Sequence, residues 1–178
     1  MYIQKELQCL FENKVFSLRC LHESDVSQGY VASLSQENRY LETKLGDVSI
    51  SQQKKYISAT VLTENRIIFG LFYQGNLIGS SGVQFTSSSE ATAGIFLFDH
   101  FRGHSLGKVL VWMVCNLVSQ EFPIQTLRAG MKIDNQASLK SFLTCGFSIT
   151  ETSDDYYFVG LDSKILKKPK GITMINSI

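Results

Sequence analysis

Hydrophobic and polar positions change rhythm several times along the chain, and each change marks an element. Residues 15–21 predict a short strand, followed by the turn His22-Glu23-Ser24-Asp25. Ser24 or Asp25 can cap a helix running to about Leu34, because a short side-chain oxygen accepts from a backbone N–H of the first turn. Residues 36–41 predict one short helical turn, and Ser49 or Ser51 opens a longer helix through Lys54, Tyr56, Ile57 and Ala59 to about Leu62. Residues 66–73 are apolar and aromatic, Gln74-Gly75-Asn76 breaks the run, and residues 77–85 resume as a strand, so the pair reads as a hairpin. After the polar residues 86–89, residues 91–98 complete a three-stranded antiparallel meander.

Beyond the meander the period lengthens. Leu106, Val109, Leu110, Met113, Val114 and Leu117 recur at helical spacing and predict a helix from Ser105 or Leu106 to about Gln120, lying on the sheet. Pro123 ends it, residues 126–131 make another strand, and Asp134 or Asn135 caps a helix through Leu139, Phe142 and Leu143 that Gly146 stops. Residues 147–150 and 156–161 are two closing strands, and the lysine-rich stretch 164–170 with Pro169 reads as a surface tail. This order lacks the regular βαβ alternation of a doubly wound nucleotide fold and requires an α/β arrangement around a mixed sheet.

Composition narrows the picture. At 178 residues, with 44% hydrophobic and 19% charged positions, the chain reads as one domain, its core at about residues 14–162 with a tail from 163 to 178. A formal net charge of +1 supplies no field to draw in nucleic acid or an anionic membrane. Cys9, Cys20, Cys115 and Cys145 show no C-x-x-C spacing, which argues against a metal and for buried free thiols; a nucleophilic cysteine is the other reading. Lys5, Glu6, Glu12 and Lys14 interrupt any apolar run long enough for a signal peptide or span, so a cytoplasmic protein is expected.

The most informative stretch, Phe101-Arg102-Gly103-His104-Ser105-Leu106-Gly107-Lys108, lies between a predicted strand and the long helix. A helix start exposes N–H groups that no earlier turn satisfies, and its dipole favours negative charge, so a diphosphate fits there without a metal. Gly103 and Gly107 remove side chains where phosphate oxygens would approach, Ser105 offers a hydroxyl, and Arg102 and Lys108 add positive charge. Taken alone, this composition also suits a glycine-softened turn. No G-K-[ST] closes the loop and no G-x-G-x-x-G is present, which excludes an ATPase phosphate loop and a dinucleotide fingerprint.

The stretch resembles the signature of the GNAT superfamily of N-acetyltransferases: arginine or glutamine, two residues, glycine, one residue, then glycine or alanine, gripping the pyrophosphate of coenzyme A. Arg102 and Gly107 match its ends; Ser105 stands where the family usually has its first glycine. Asn135-Gln136-Ala137-Ser138, followed by Phe142 and Cys145-Gly146-Phe147, resembles the second landmark of the family. The resemblance spans about residues 16–159 and implies the GNAT fold, a central, mostly antiparallel twisted sheet of about six to seven strands flanked by about four helices. It also implies an enzyme using acetyl-coenzyme A as co-substrate and no metal. Ile95, Phe96 and Leu97 would hold the pantetheine arm, with Leu97 the most direct contact. Arg102, Gly103, His104, Ser105, Leu106, Gly107 and Lys108 would meet the pyrophosphate, and Asn135, Ser138 and Phe142 would complete the site. Asn135 also suits a plain helix cap, and Ser138 a plain helix residue.

The proton handlers of the family are missing. The tyrosine that many relatives carry seven residues after the asparagine is Phe142, and the glutamate of some relatives falls at Gly130. Catalytic residues therefore stay unassigned, with Asp99 and His100 as candidates for a base or water relay and Glu90 and His104 behind them; His104 suits a phosphate contact better, and His22 a cap. A neutral amine held close can attack the thioester directly in a ternary complex, with backbone N–H groups stabilising the oxyanion. Tyr156-Tyr157-Phe158 suits either a pocket wall or ordinary strand packing.

Leu18-Arg19 with Ser24-Asp25, Asn38-Arg39-Tyr40-Leu41-Glu42 and Ile78-Gly79 resemble the branch that includes ribosomal-protein N-terminal acetyltransferases and enzymes of surface-sugar gene clusters. That resemblance implies an amino sugar or nucleotide-linked amino sugar as acceptor, with Arg39 or Lys44 meeting a phosphate and Tyr40 stacking on a ring; Tyr40 and Leu41 suit core packing equally. A peptide N-terminus is the alternative acceptor, and a catalytically weak acyl-coenzyme A-binding module the alternative function. No nucleic acid or membrane partner is expected. The chain is expected to be a monomer or a homodimer, the latter through an exposed edge of the central meander.

Overall fold

The computed structural model describes residues 3–36 and 48–175. The expected acceptor residues Arg39 and Tyr40, with Lys44, and the helical turn expected at 36–41 beyond Gln36, lie outside them. In chain order the strands are β1 (Leu7–Phe11), β2 (Lys14–Cys20), β3 (Arg66–Tyr73), β4 (Asn76–Phe85), β5 (Glu90–Leu97), β6 (Thr126–Lys132), β7 (Ser148–Thr152), β8 (Tyr156–Asp162) and β9 (Ile172–Ile175). The helices are α1 (Gln28–Gln36), α2 (Ile50–Val61), α3 (Leu106–Glu121) and α4 (Gln136–Thr144). One sheet takes all nine strands in the order β7-β8-β6-β5-β4-β3-β2-β1-β9, antiparallel except where β5 meets β6.

The sheet carries a core on each face, which is why its central strands read as apolar runs. Along β3, Ile67, Phe69 and Leu71 join the larger core beneath α3, whereas Ile68 and Phe72 pack on the other face with Tyr30, Val31 and Leu34 of α1 and Ile57 of α2. α3 buries Val111, Trp112, Cys115 and Val118 in addition to its predicted stripe, because α4 covers part of its outer side. Arg19 and Asp25 clip β2 to the turn before α1 by two hydrogen bonds of 2.8 Å each, with the guanidinium 4.0 Å from the centroid of Phe72. Asp25 also accepts from the His22 backbone N–H at 2.8 Å, and the His22 side chain accepts from Ser24 N, so His22 caps the turn.

Three expectations are corrected. The sheet has nine strands among the described residues, because β1 and β9 extend it beyond β2. β1 enters through a two-residue turn at Glu12 and Asn13, both with positive φ (49° and 60°), which twists a hairpin correctly without glycine. The stretch after residue 163 is not a surface tail throughout: Lys167 N donates to Cys145 O at 2.9 Å, and Ile172, buried, opens β9 against β1. Among the described residues the central meander is not an outer edge of the sheet: β2 covers β3, and β6 flanks β5, although it pairs with only the first three residues of that strand; the outer strands are β7 and β9.

Candidate functional site

β5 and β6 run parallel for only three positions, Glu90↔Thr126, Ala91↔Leu127 and Thr92↔Arg128, and then diverge. β5 continues to Leu97 on β4, and β6 to Lys132 on β8, so the sheet opens into a V. Backbone groups along residues 93–97 and 129–132 that would have bonded across the sheet face this gap, where only a ligand, water or side chain can satisfy them. A cleft opens on each face of the sheet, and Ile95, Phe96, Asn135 and Ser138 line both.

The first cleft, about 710 Å³, lies between the start of α3 and α4. Of the predicted coenzyme residues, Ile95, Phe96 and Leu97 of β5, Arg102, Gly103, Ser105, Leu106, Gly107 and Lys108 around the start of α3, and Asn135 and Ser138 at α4 all line it. His104 does not and points to solvent; Phe142 is buried against Phe147 and reaches the other cleft instead. Asp134, Gln136, Ala137, Lys140, Ser141 and Thr144 complete the α4 wall, which the sequence motif did not specify.

Local geometry explains the loop. Gly103 has φ 78° and Ser105 φ 58°, so the chain turns twice through left-handed backbone just before the helix. A serine there costs about 1–2 kcal/mol that glycine avoids. Ser105 makes no side-chain cap, which leaves the N–H groups of the first turn of α3 without that acceptor. Gly107 has a role the sequence reading missed: a Cβ there would collide with Ser141 Oγ and sit 3.2 Å from Ser141 Cβ, so the glycine lets α4 approach α3. Arg102 donates from Nε to Leu97 O at 2.8 Å and pairs with Asp99 at 3.1 Å, bracing the loop against the end of β5. Asn135 Oδ1 accepts from Ser138 N at 3.2 Å; the cap thus uses its oxygen and not its amide NH₂, and the residue lines both clefts.

The second cleft, about 520 Å³, lies on the α1 and α2 face. Gly82 and Gly94 pair across β4 and β5, and a Cβ on either would meet no atom within 4 Å; both line the cleft, whose wall they leave clear. Tyr30, Gln53, Tyr56, Arg66, Ser80 and Gln84 bring polar groups into it, none of them singled out from sequence, because α1, α2, β3 and β4 converge only in the fold. Burial pushes the Tyr30 hydroxyl up to about 12 despite its hydrogen bond with Ser80, so it stays protonated at neutral pH.

The candidate bases do not reach either cleft. Asp99 and His100 lie exposed in a 3₁₀ turn after β5, with Asp99 engaged by Arg102, and Glu90 pairs with Arg128 at 3.0 Å. Tyr156, Tyr157 and Phe158 also line neither cleft. All four cysteines are buried and free; burial pushes Cys9 up to about 11 and Cys145 to about 12, and raises Cys20 and Cys115, which holds them as thiols and argues against a nucleophile. Among the described residues no group of three His, Cys, Asp or Glu side chains could hold a metal, and no helix is long and apolar enough to cross a membrane.

A mostly antiparallel sheet flanked by helices is the architecture that the two sequence landmarks imply; its split between β5 and β6 and the cleft on each face are found in the structure. The model of the acetyltransferase (GNAT) domain family matches residues 16–148. The chain belongs to that family and is, by that membership, an acetyl-coenzyme A-dependent N-acetyltransferase. Among solved structures it is similar to RimJ from Mycobacterium smegmatis in complex with a coenzyme A disulfide, with TM-score 0.79 and 13% identity over 92% of this chain and 90% of that one. RimL, a ribosomal-protein alpha-N-acetyltransferase in complex with coenzyme A, gives TM-score 0.73 and 16% identity over 83% and 93% of the two chains. The N-acetyltransferase PseH from Campylobacter jejuni gives 0.63 and 14% over 82% and 97%. At these identities the likeness establishes the fold. Comparison with curated proteins returns no match.

Proposed function

We propose that the chain transfers an acetyl group from acetyl-coenzyme A to the amine of an amino sugar or nucleotide-linked amino sugar by direct attack in a ternary complex. The observation that carries this reading is the meeting of two clefts at the open V between β5 and β6. The α3-side cleft would take the coenzyme, which supplies an activated thioester. Free N–H groups at the start of α3 suit its diphosphate, with Arg102, Lys108 and Lys140 adding positive charge. Residues 95–97 offer backbone for an extended arm, and Asn135 lines the same cleft.

The acceptor would enter from the α1 and α2 side and meet the thioester in the gap. Among the described residues no carboxylate or imidazole lines that cleft, so the amine arrives already neutral and the protein supplies position and backbone donors rather than a base. Tyr30, held protonated, can donate a hydrogen bond but not accept a proton. Four free thiols suit the reducing cytoplasm.

The test is calorimetric titration of acetyl-coenzyme A into the wild type and a Lys108→Glu/Lys140→Glu variant, followed by thiol release with amino sugars, nucleotide-linked amino sugars and peptides bearing free N-termini. Binding that falls by about tenfold or more in the variant, with turnover on a sugar amine, is the expected result. Turnover on peptides alone would favour the N-terminal acetyltransferase reading. Binding without turnover on any amine would leave a coenzyme-binding module.

A further inference from the structure

Arg66 is the one charged side chain lining the acceptor cleft among the described residues, and it is held in place rather than neutralised. Its Nε donates to Gln84 Oε1 at 2.8 Å and its Nη1 to Tyr56 Oη at 2.9 Å. The described residues put no carboxylate within ion-pair distance of it, although it is half-buried at the start of β3. Both partners are neutral, so they fix the direction of the guanidinium without cancelling its charge. Because Tyr56 Oη accepts from Arg66, its own proton remains to be donated. Gln53, one helical turn before Tyr56 and 6% exposed, brings an amide to the same cleft.

A braced guanidinium with a hydroxyl donor beside it, facing a cleft of about 520 Å³, is an arrangement for an anion. It is a poor environment for a polyamine, which would need carboxylates where the protein presents a cation. The amine that reacts lies toward Ile95, Phe96, Asn135 and Ser138, which line both clefts, whereas Arg66 and Gln84 come from the far ends of β3 and β4. Resting on the acetyl-transfer reading above, we propose that Arg66, braced by Gln84 and Tyr56, binds a phosphate or carboxylate on the acceptor, so the preferred substrate is an amine that also carries an anionic group. The contact fixes which end of the acceptor enters first.

The experiment uses the full chain and a matched set of probes: glucosamine, glucosamine 6-phosphate, glucosaminic acid and spermidine, each titrated by calorimetry. One of the two anionic sugars is expected to bind about tenfold tighter than glucosamine, and the comparison between them tells phosphate from carboxylate. Arg66→Gln should erase that preference; Arg66→Lys, which keeps a charge without the fork and so tests the idea even if the glutamine variant folds poorly, should fall between. Equal binding of charged and neutral sugars, preferential binding of spermidine, or a preference that survives Arg66→Gln would each overturn the proposal. Acetyl-coenzyme A titrated into the same three proteins keeps the two readings apart. Its failure to bind wild type would sink the transfer reading while leaving the anion preference to stand or fall on the sugar data.

Discussion

Replacing Gly107 by alanine asks whether that glycine serves a ligand or the packing of two helices. The added Cβ would collide with Ser141 Oγ, lie 3.2 Å from Ser141 Cβ and touch Ile95 Cδ1 at an ordinary 3.7 Å. Alanine in a helix is worth up to about 1 kcal/mol over glycine. Against this, overpacking costs about 1–3 kcal/mol. Displacing the Ser141 hydroxyl also threatens its 2.8 Å hydrogen bond to Ala137 O, worth about 1 kcal/mol. The single variant should therefore lose about 1–2 kcal/mol, or roughly 2–8 °C in Tm for a chain of this size. Ser141→Gly removes both close atoms, so Gly107→Ala made in that background should be neutral or stabilising. A double-mutant cycle in urea should return a coupling of about 1–3 kcal/mol. Acetyl-coenzyme A affinity should fall with the single change, as α4 is pushed from α3, and recover in the pair. If Gly107→Ala is as stable as wild type, the packing argument is wrong; if affinity stays lost in the pair, the methyl group itself obstructs the ligand.

Three further outcomes are expected. Ser105→Gly should relieve the left-handed backbone and raise stability by about 1 kcal/mol in a denaturant melt, with the cleft between α3 and α4 intact. Asp25→Ala removes the clip to Arg19 and the His22 backbone and should cost about 2 kcal/mol. Burial works to raise the Asp25 pKa, but the hydrogen bonds from Arg19 and His22 and their charges overcome it and leave it lowered. Its contribution is therefore present above the unfolded carboxylate value of about 3.9 and disappears as pH falls through the lower folded value. The loss caused by Asp25→Ala should accordingly shrink in acid melts. Gly94→Val would place branched carbon in the cleft proposed for the acceptor, so KM for the amine should rise by about tenfold while acetyl-coenzyme A still binds, as steady-state kinetics beside calorimetry would reveal.

Local chemistry makes much of this legible in the sequence. Ser49 caps α2, Asn135 caps α4, and β3 runs over the residues its apolar stretch marked, because short-range rules govern those positions. The loop before α3 stands out in the sequence as a candidate anion site and does line a cleft, although the conformational demand at Ser105 is not legible there, since a serine carries no outward sign of a positive φ. β1 escaped notice because its turn is Glu12-Asn13 instead of a glycine pair, and β9 because four residues after Gly171 are too short to show a period. The cleft on the α1 and α2 face is not legible in the sequence: Tyr30, Tyr56, Arg66 and Gln84 come from four elements, and only the fold gathers them. Asp99 and His100 were attractive by their place in the chain, yet their 3₁₀ turn carries them away from the gap.

The pairing of β9 with β1 has a topological consequence. Gln8 lies opposite Ile175, so the first and last strands lie side by side on one margin of the sheet, and the path between them is almost a closed circuit. A circularly permuted protein, joined there by a brief linker and opened among the exposed serines between β4 and β5, would preserve every ladder, including the divergence of β5 and β6.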